Sequence, residues 1–157
     1  MILKGGGNMF AWIIAVLSGA LMSLQGVFNT AVTKQSSVWT TASFVQASAL
    51  LVCVAAWFVT GREGKFTDVL GVSPKYLLLG GAIGAVITFT VIKSTAALGP
   101  AMAVMLILGA QLITSYLIEV FGLFGTEKVD FEWKKLIGAG LVLAGIIVFQ
   151  MTGQKNR

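Results

Sequence analysis

The chain has 157 residues, of which 57% are hydrophobic and 11% charged, whereas soluble domains carry about 25% charged residues. Eleven basic and six acidic side chains give a net charge of +5. The bases lie singly or in pairs at the ends of apolar stretches, a placement typical of contact with lipid headgroups. These values exclude a water-soluble globular domain and argue against a nucleic-acid partner.

Five long apolar stretches follow one another along the chain. Each reaches or approaches the about 20 residues that an α-helix needs to cross a bilayer. The predicted spans are residues 10–32, 38–60, 76–95, 101–124 and 136–152. We therefore predict an all-α integral membrane protein with one transmembrane domain at 10–152, a lead-in at 1–9 and a tail at 153–157. An odd number of crossings places the two termini on opposite sides of the membrane.

The first span is too long for the core of a signal peptide and four more follow it, so we expect it to be retained. Gln25 and Asn29 lie on one narrow polar stripe of this span. Gln46 lies before the midpoint of the second span, while Gln25 lies past the midpoint of the first. Because consecutive spans run in opposite directions, both amides are expected at a similar depth, toward the extracytoplasmic side.

Gly99 and Pro100 predict a tight corner, and hence an antiparallel hairpin of the third and fourth spans. Gln111, Ser115 and Glu119 then recur at every fourth residue, which places them on one face of the fourth span. Amides and hydroxyls in hydrocarbon need a partner or water, so polar faces can line a wet cavity. The predicted substrate pathway is Gln25, Asn29, Gln46, Gln111 and Ser115. Alternatively, the same groups only join helices, by bonds of about 0.6–2 kcal/mol each.

Glu119 is the only acid within a span, where a charge costs on the order of 3 kcal/mol at the helix centre. It is a candidate for proton coupling. Its position near the end of the fourth span leaves a second interpretation, in which it reaches the membrane interface or pairs with a loop lysine. Small residues predict close helix packing or dimerisation at two further faces; their glycines are Gly80, Gly84, Gly138, Gly140 and Gly145.

The chain has no histidine and one cysteine, Cys53, inside the second span. This excludes an internal disulfide and a cluster of His and Cys metal ligands. No glycine-rich nucleotide loop is present, because Gly5, Gly6 and Gly7 lack the following Lys-Ser/Thr. We therefore expect no metal, no cofactor and no enzymatic activity.

The distribution of lysine and arginine predicts a cytoplasmic N-terminus. Seven bases fall on the side of the N-terminus and four on the other, a modest bias that leaves dual topology open. The first group is Lys4, Arg62, Lys65, Lys75, Lys128, Lys134 and Lys135; the second is Lys34, Lys93, Lys155 and Arg157.

Three segments resemble a known family. Residues 17–29 are similar to the first helix of the YdcZ-type inner-membrane exporters. Residues 118–125, with Glu119 before Phe121-Gly122-Leu123-Phe124-Gly125, resemble that family's acidic residue and its Phe-Gly-x-Phe-Gly turn. Residues 136–145 resemble the closing helix that is common in the drug/metabolite transporter superfamily. The resemblance covers about residues 10 to 150.

This resemblance implies a five-helix half-unit of an inverted-repeat transporter fold, which would work as an antiparallel pair in a bacterial inner membrane. The pair would be a homodimer or a heterodimer with an inverted related chain. The four-helix relatives, the small multidrug resistance proteins, carry a glutamate in their first helix. Gln25 and Asn29 stand in the first span here, so Glu119 is left as the acidic candidate.

Together, these features predict a secondary active transporter that exports a small metabolite or drug-like solute by alternating access, driven by the proton gradient. The alternative is a non-transporting accessory subunit that packs against a larger membrane complex. A passive channel is disfavoured by the apolar stretches 77–79 and 102–108. The sequence leaves open the solute, the direction of transport and the coupling ion.

Overall fold

The computed structural model describes the backbone of residues 5–62 and 64–154, and the side chains of residues 9–62 and 64–151. Lys4, Lys155 and Arg157, which enter the charge comparison, lie outside the described residues. Within those residues the chain is α-helical with two short 3-10 turns, and no β-strand occurs.

The described helices are α1 (Gly5–Thr33), α2 (Val38–Val59), α3 (Phe66–Gly71), α4 (Gly80–Leu98), α5 (Pro100–Phe121) and α6 (Trp133–Gln154). A 3-10 turn at Lys75–Leu79 leads directly into α4, and a second one follows α5 at Leu123–Gly125.

Five segments of the described chain are long and apolar enough to cross a membrane. They are Met9–Thr33, Val38–Val59, Lys75–Leu98, Pro100–Phe121 and Trp133–Met151. The predicted class, an all-α integral membrane protein with five membrane-spanning helices, is confirmed. The remaining helix, α3, is too short to cross and lies in the loop after α2.

Several helix ends differ from those expected. The first helix begins at Gly5, inside the predicted lead-in, because adding residues to a helix that is already nucleated costs little. Helix α5 ends at Phe121 rather than at residue 124. Gly122 takes the left-handed conformation there, with φ at 61°, and its N–H bonds to the carbonyls of Ile118 and Glu119. Helix α6 begins at Trp133, ahead of the predicted residue 136.

The chain divides into two compact units, Met1–Ala97 and Leu98–Arg157. In the first unit, Ser37 caps α2 by accepting a hydrogen bond from the backbone N–H of Thr40 at 3.1 Å. Ala42, Ile92 and Thr95 are buried. The Trp39 and Phe89 rings stack with their centroids 4.7 Å apart, which adds a contact between α2 and α4.

In the second unit α5 packs on α6, and Ala103, Gly109 and Ile146 are buried. A Cβ atom on Gly109 would lie 3.1 Å from Ile146 Cδ1 and 3.3 Å from Leu143 Cδ2. Glycine therefore permits this close approach of the two helices. Gly109 was not among the glycines predicted to pack helices.

Most large apolar side chains of the five membrane-crossing helices are exposed, for example Phe10, Phe44 and Leu141. A bilayer supplies the apolar surroundings that a soluble protein must build into its core. The small buried core is therefore compatible with a membrane protein.

Candidate functional site

The buried residues Asn29 and Thr41 and the half-buried Thr33 form a polar cluster between α1 and α2. Asn29 is 8% exposed and Thr41 is 2% exposed. The Thr33 hydroxyl lies 3.0 Å from the Thr41 hydroxyl and 2.8 Å from the Asn29 carbonyl oxygen. These hydroxyls are satisfied within the first unit: Thr33 bonds to Thr41 across the two helices, whereas its bond to Asn29 lies within α1. Gln25, from the same stripe, is exposed.

Gln46 bridges α2 and α4. Its Nε2 donates to the Thr88 hydroxyl at 3.5 Å, the long limit of a hydrogen bond, and Thr88 donates to the Gly84 carbonyl at 3.0 Å. A Cβ on Gly84 would lie 3.5 Å from the Gln46 amide nitrogen, an ordinary van der Waals distance, so the amide packs directly beside this glycine. The structure thus brings together Gln46, predicted to lie on the substrate pathway, and Gly84, predicted to pack helices.

A cavity of about 630 Å³ lies between α5 and α6 in the second unit, and two of the predicted site residues, Ser115 and Glu119, line it. Gln111 is exposed and is not among the lining residues. The walls are mostly apolar, and the polar lining side chains are Ser115, Tyr116, Glu119 and Lys135. The predicted polar face of the fourth span is therefore partly a cavity wall.

The loop after α5 folds back onto the end of that helix. The Glu119 carbonyl accepts hydrogen bonds from the N–H groups of Gly122 at 3.2 Å and Val129 at 3.1 Å. The Thr126 hydroxyl donates to the carbonyl of Leu123 at 2.8 Å. These bonds satisfy carbonyls that the helix end would otherwise leave unpaired.

Tyr116 fixes the far end of the same loop. Its hydroxyl accepts from the Glu132 N–H at 2.9 Å and donates to the Glu132 carbonyl at 3.2 Å. The Phe131 ring centroid lies 6.2 Å from that of Tyr116, and Lys135 Nζ lies 5.6 Å from the Tyr116 ring centroid. The aromatic ring and the lysine therefore stand beside the cavity in a defined arrangement.

Tyr116 and Lys135 line the cavity, but they were not predicted from the sequence as site residues. The sequence signal for a site was weak, because the position of Tyr116 is typical of an interfacial aromatic residue and Lys135 is one of several basic residues in the loops. Glu119 is exposed, and within the described residues its carboxylate forms no ion pair with Lys128 or Lys135.

The remaining predicted glycines have open space around them. A Cβ on Gly80, Gly138, Gly140 or Gly145 would meet no atom within 4 Å. Their assignment to helix packing or dimerisation stays a prediction. The described contacts include no helix that packs on these four glycines.

One family model matches the chain over residues 10–148, and its description is "Putative inner membrane exporter, YdcZ". The match covers all of the first four membrane-crossing helices except the first residue, and most of the last. No curated protein and no solved structure matches the chain.

Proposed function

The chain belongs to the YdcZ family of inner-membrane exporters, and on that premise we propose that it exports a small solute by alternating access as an antiparallel dimer. The family and the five apolar helices make it a multi-pass inner-membrane protein of a transporter class, which is not an enzyme class. The dimer, the proton coupling and the roles of single residues are parts of the proposal.

The observation that carries the proposal is the cavity between α5 and α6. Its volume of about 630 Å³ lies within the range of small-molecule sites, which is roughly 300–1,000 Å³. Ser115 and Glu119 are among the few polar residues that line it, and the wall is otherwise mostly apolar. A few polar groups on an apolar wall can orient a solute without holding it too tightly for release.

Glu119 is the proposed proton-coupling residue. Acids in membrane helices face the interior of a bundle or a water-filled space, and often take part in proton relays. The Glu119 side chain lines the cavity while its own carbonyl is held by Gly122 and Val129. The backbone of this residue is thus fixed by the loop, and its carboxylate can exchange a proton or contact the solute.

Transport by purified protein tests the function. Proteoliposomes with a pH gradient are exposed to a panel of labelled metabolites, and solute movement is compared for the wild type, Glu119→Gln and Glu127→Gln. Glu127 is an exposed acid of the adjoining loop and does not line the cavity, so it controls for loss of one charge. We expect gradient-dependent movement that Glu119→Gln abolishes and Glu127→Gln retains. Movement of no metabolite, or equal loss in both variants, contradicts the proposal.

Reporter proteins fused to both termini test the dimer. The charge bias favours a cytoplasmic N-terminus but is modest, so one chain can insert in both orientations. A mixed orientation supports a homodimer of inverted copies. A single orientation, with no related partner of opposite orientation in the purified complex, contradicts the antiparallel pair.

The second candidate function is that of an accessory subunit. The open space around Gly138, Gly140 and Gly145 favours it, because a helix of another protein could approach there closely. Co-purification separates the two functions. A stoichiometric, unrelated membrane protein supports the accessory role, whereas a second copy or a related chain supports the transporter.

A further inference from the structure

Beyond the proposed function, we propose that the cavity between α5 and α6 binds a zwitterionic solute with an apolar body, of the class of large apolar α-amino acids. Glu119 would accept hydrogen bonds from the ammonium group, Lys135 would bind the carboxylate, and the apolar walls would hold the side chain. This inference names the substrate class of the proposed site and rests on the proposed function only where transport is concerned.

The first support is the distribution of polarity within the cavity. The polar groups gather toward the ends of the helices that face the loop; the deepest, Ser115, lies about 9 Å before Phe121 along the helix axis. Beyond them the walls are apolar, with Leu112, Ala139 and Val142 among the lining residues. An apolar body would enter these walls while its charged end stays near the loop.

The second support is that the cavity carries one side chain of each charge. Glu119 comes from α5 and Lys135 from α6, both line the cavity, and the two do not pair with each other in the described structure. Separate, unpaired opposite charges suit a ligand whose own ammonium and carboxylate can meet both. A ligand with only a positive charge would be attracted by Glu119 but repelled by Lys135. A ligand with only a negative charge would be attracted by Lys135 but repelled by Glu119.

The third support is the positioning of Lys135. Its ammonium lies 5.6 Å from the Tyr116 ring centroid, and the Tyr116 hydroxyl is fixed by two hydrogen bonds to the Glu132 backbone. A lysine on a free loop would sample many directions, whereas this one lies in the first turn of α6 beside a fixed ring. The charge is therefore held at the cavity before a ligand arrives.

Matched ligands test the inference by binding to detergent-purified protein, measured by calorimetry. The three ligands share one apolar body. Phenylalanine carries both charges, 2-phenylethylamine only the positive charge, and 3-phenylpropionate only the negative charge. We expect the wild type to bind phenylalanine about tenfold more tightly than either single-charge ligand, as loss of one charge-assisted hydrogen bond implies.

Charge variants assign each contact. Glu119→Gln should remove the preference for phenylalanine over 3-phenylpropionate, and Lys135→Gln its preference over 2-phenylethylamine. Lys135→Arg keeps the charge and should retain both preferences. The controls are Glu127→Gln and Lys134→Gln, whose residues do not line the cavity. Monodisperse elution of each variant establishes that it is folded.

Three outcomes overturn the inference: equal binding of phenylalanine and 2-phenylethylamine, equal binding of phenylalanine and 3-phenylpropionate, or binding of none of the three. The exporter proposal would survive any of these if proteoliposomes move a solute of another class in a Glu119-dependent way. Conversely, phenylalanine binding without transport would support the site and contradict the exporter.

Discussion

The hydroxyl of Tyr116 forms two hydrogen bonds with the backbone of Glu132, as acceptor from its N–H at 2.9 Å and as donor to its carbonyl at 3.2 Å. One side chain of α5 thereby satisfies both backbone groups of the residue just before α6. Tyr116 and Lys135 both line the cavity. The contact between Tyr116 and Glu132 therefore connects the geometry of the loop to the geometry of the proposed site.

Replacing Tyr116 by phenylalanine removes both hydrogen bonds and keeps the ring. At about 0.5–1.5 kcal/mol for each bond, we expect the free energy of unfolding to fall by about 1–3 kcal/mol. Hydrogen exchange of the 126–132 amides should become faster, as detected by mass spectrometry. Unaltered exchange in Tyr116→Phe would show that the two bonds do not hold the loop.

Gly109 and Gly140 predict opposite responses to the same substitution. Gly109→Leu adds atoms where a Cβ already lies 3.1 Å from Ile146 Cδ1, and such overpacking costs about 1–3 kcal/mol. Gly140→Leu enters open space and should leave the fold of the chain intact. Survival of monodisperse protein after heating measures both effects. If Gly140 lies in a helix–helix interface of the dimer, its variant should instead shift the protein from dimer to monomer. Equal heat stability of Gly109→Leu and the wild type would contradict the close approach of α5 and α6.

The two polar contacts of the first unit should differ in strength. Thr41→Val removes a fully buried hydroxyl bonded at 3.0 Å, so we expect it to cost about 1 kcal/mol. Thr88→Val removes a partner of Gln46 at 3.5 Å and should cost less. Both substitutions preserve side-chain shape, and thermal unfolding of the purified variants in one detergent compares them. A larger loss in Thr88→Val would reverse this ranking of the two contacts.

The sequence predicted the architecture well because length and apolarity alone determine which helices can cross a bilayer. It could not predict that Asn29 is buried beside Thr33 while Gln25, on the same stripe, is exposed, since that depends on which neighbour α1 meets. The sequence also could not predict the register of α5 against α6. The cavity lined by Ser115, Glu119 and Lys135 depends on that register. Tyr116 was missed because its hydroxyl bonds to backbone atoms, which carry no residue-specific signal in a sequence.

Alternating access is the central claim, and thiol labelling from one side of the membrane tests it directly. Ser115→Cys, at the cavity, and Glu127→Cys, in the exposed loop, are each made in a Cys53→Ser background and treated with a membrane-impermeant reagent. A loop cysteine reacts only in chains that present the loop on the treated side. A cavity that opens to both sides in turn should let Ser115→Cys react to completion from either side, beyond the fraction reached by Glu127→Cys. Equal labelled fractions at the two positions on treatment from each side in turn would mean that the cavity opens to one side only, which would contradict the account.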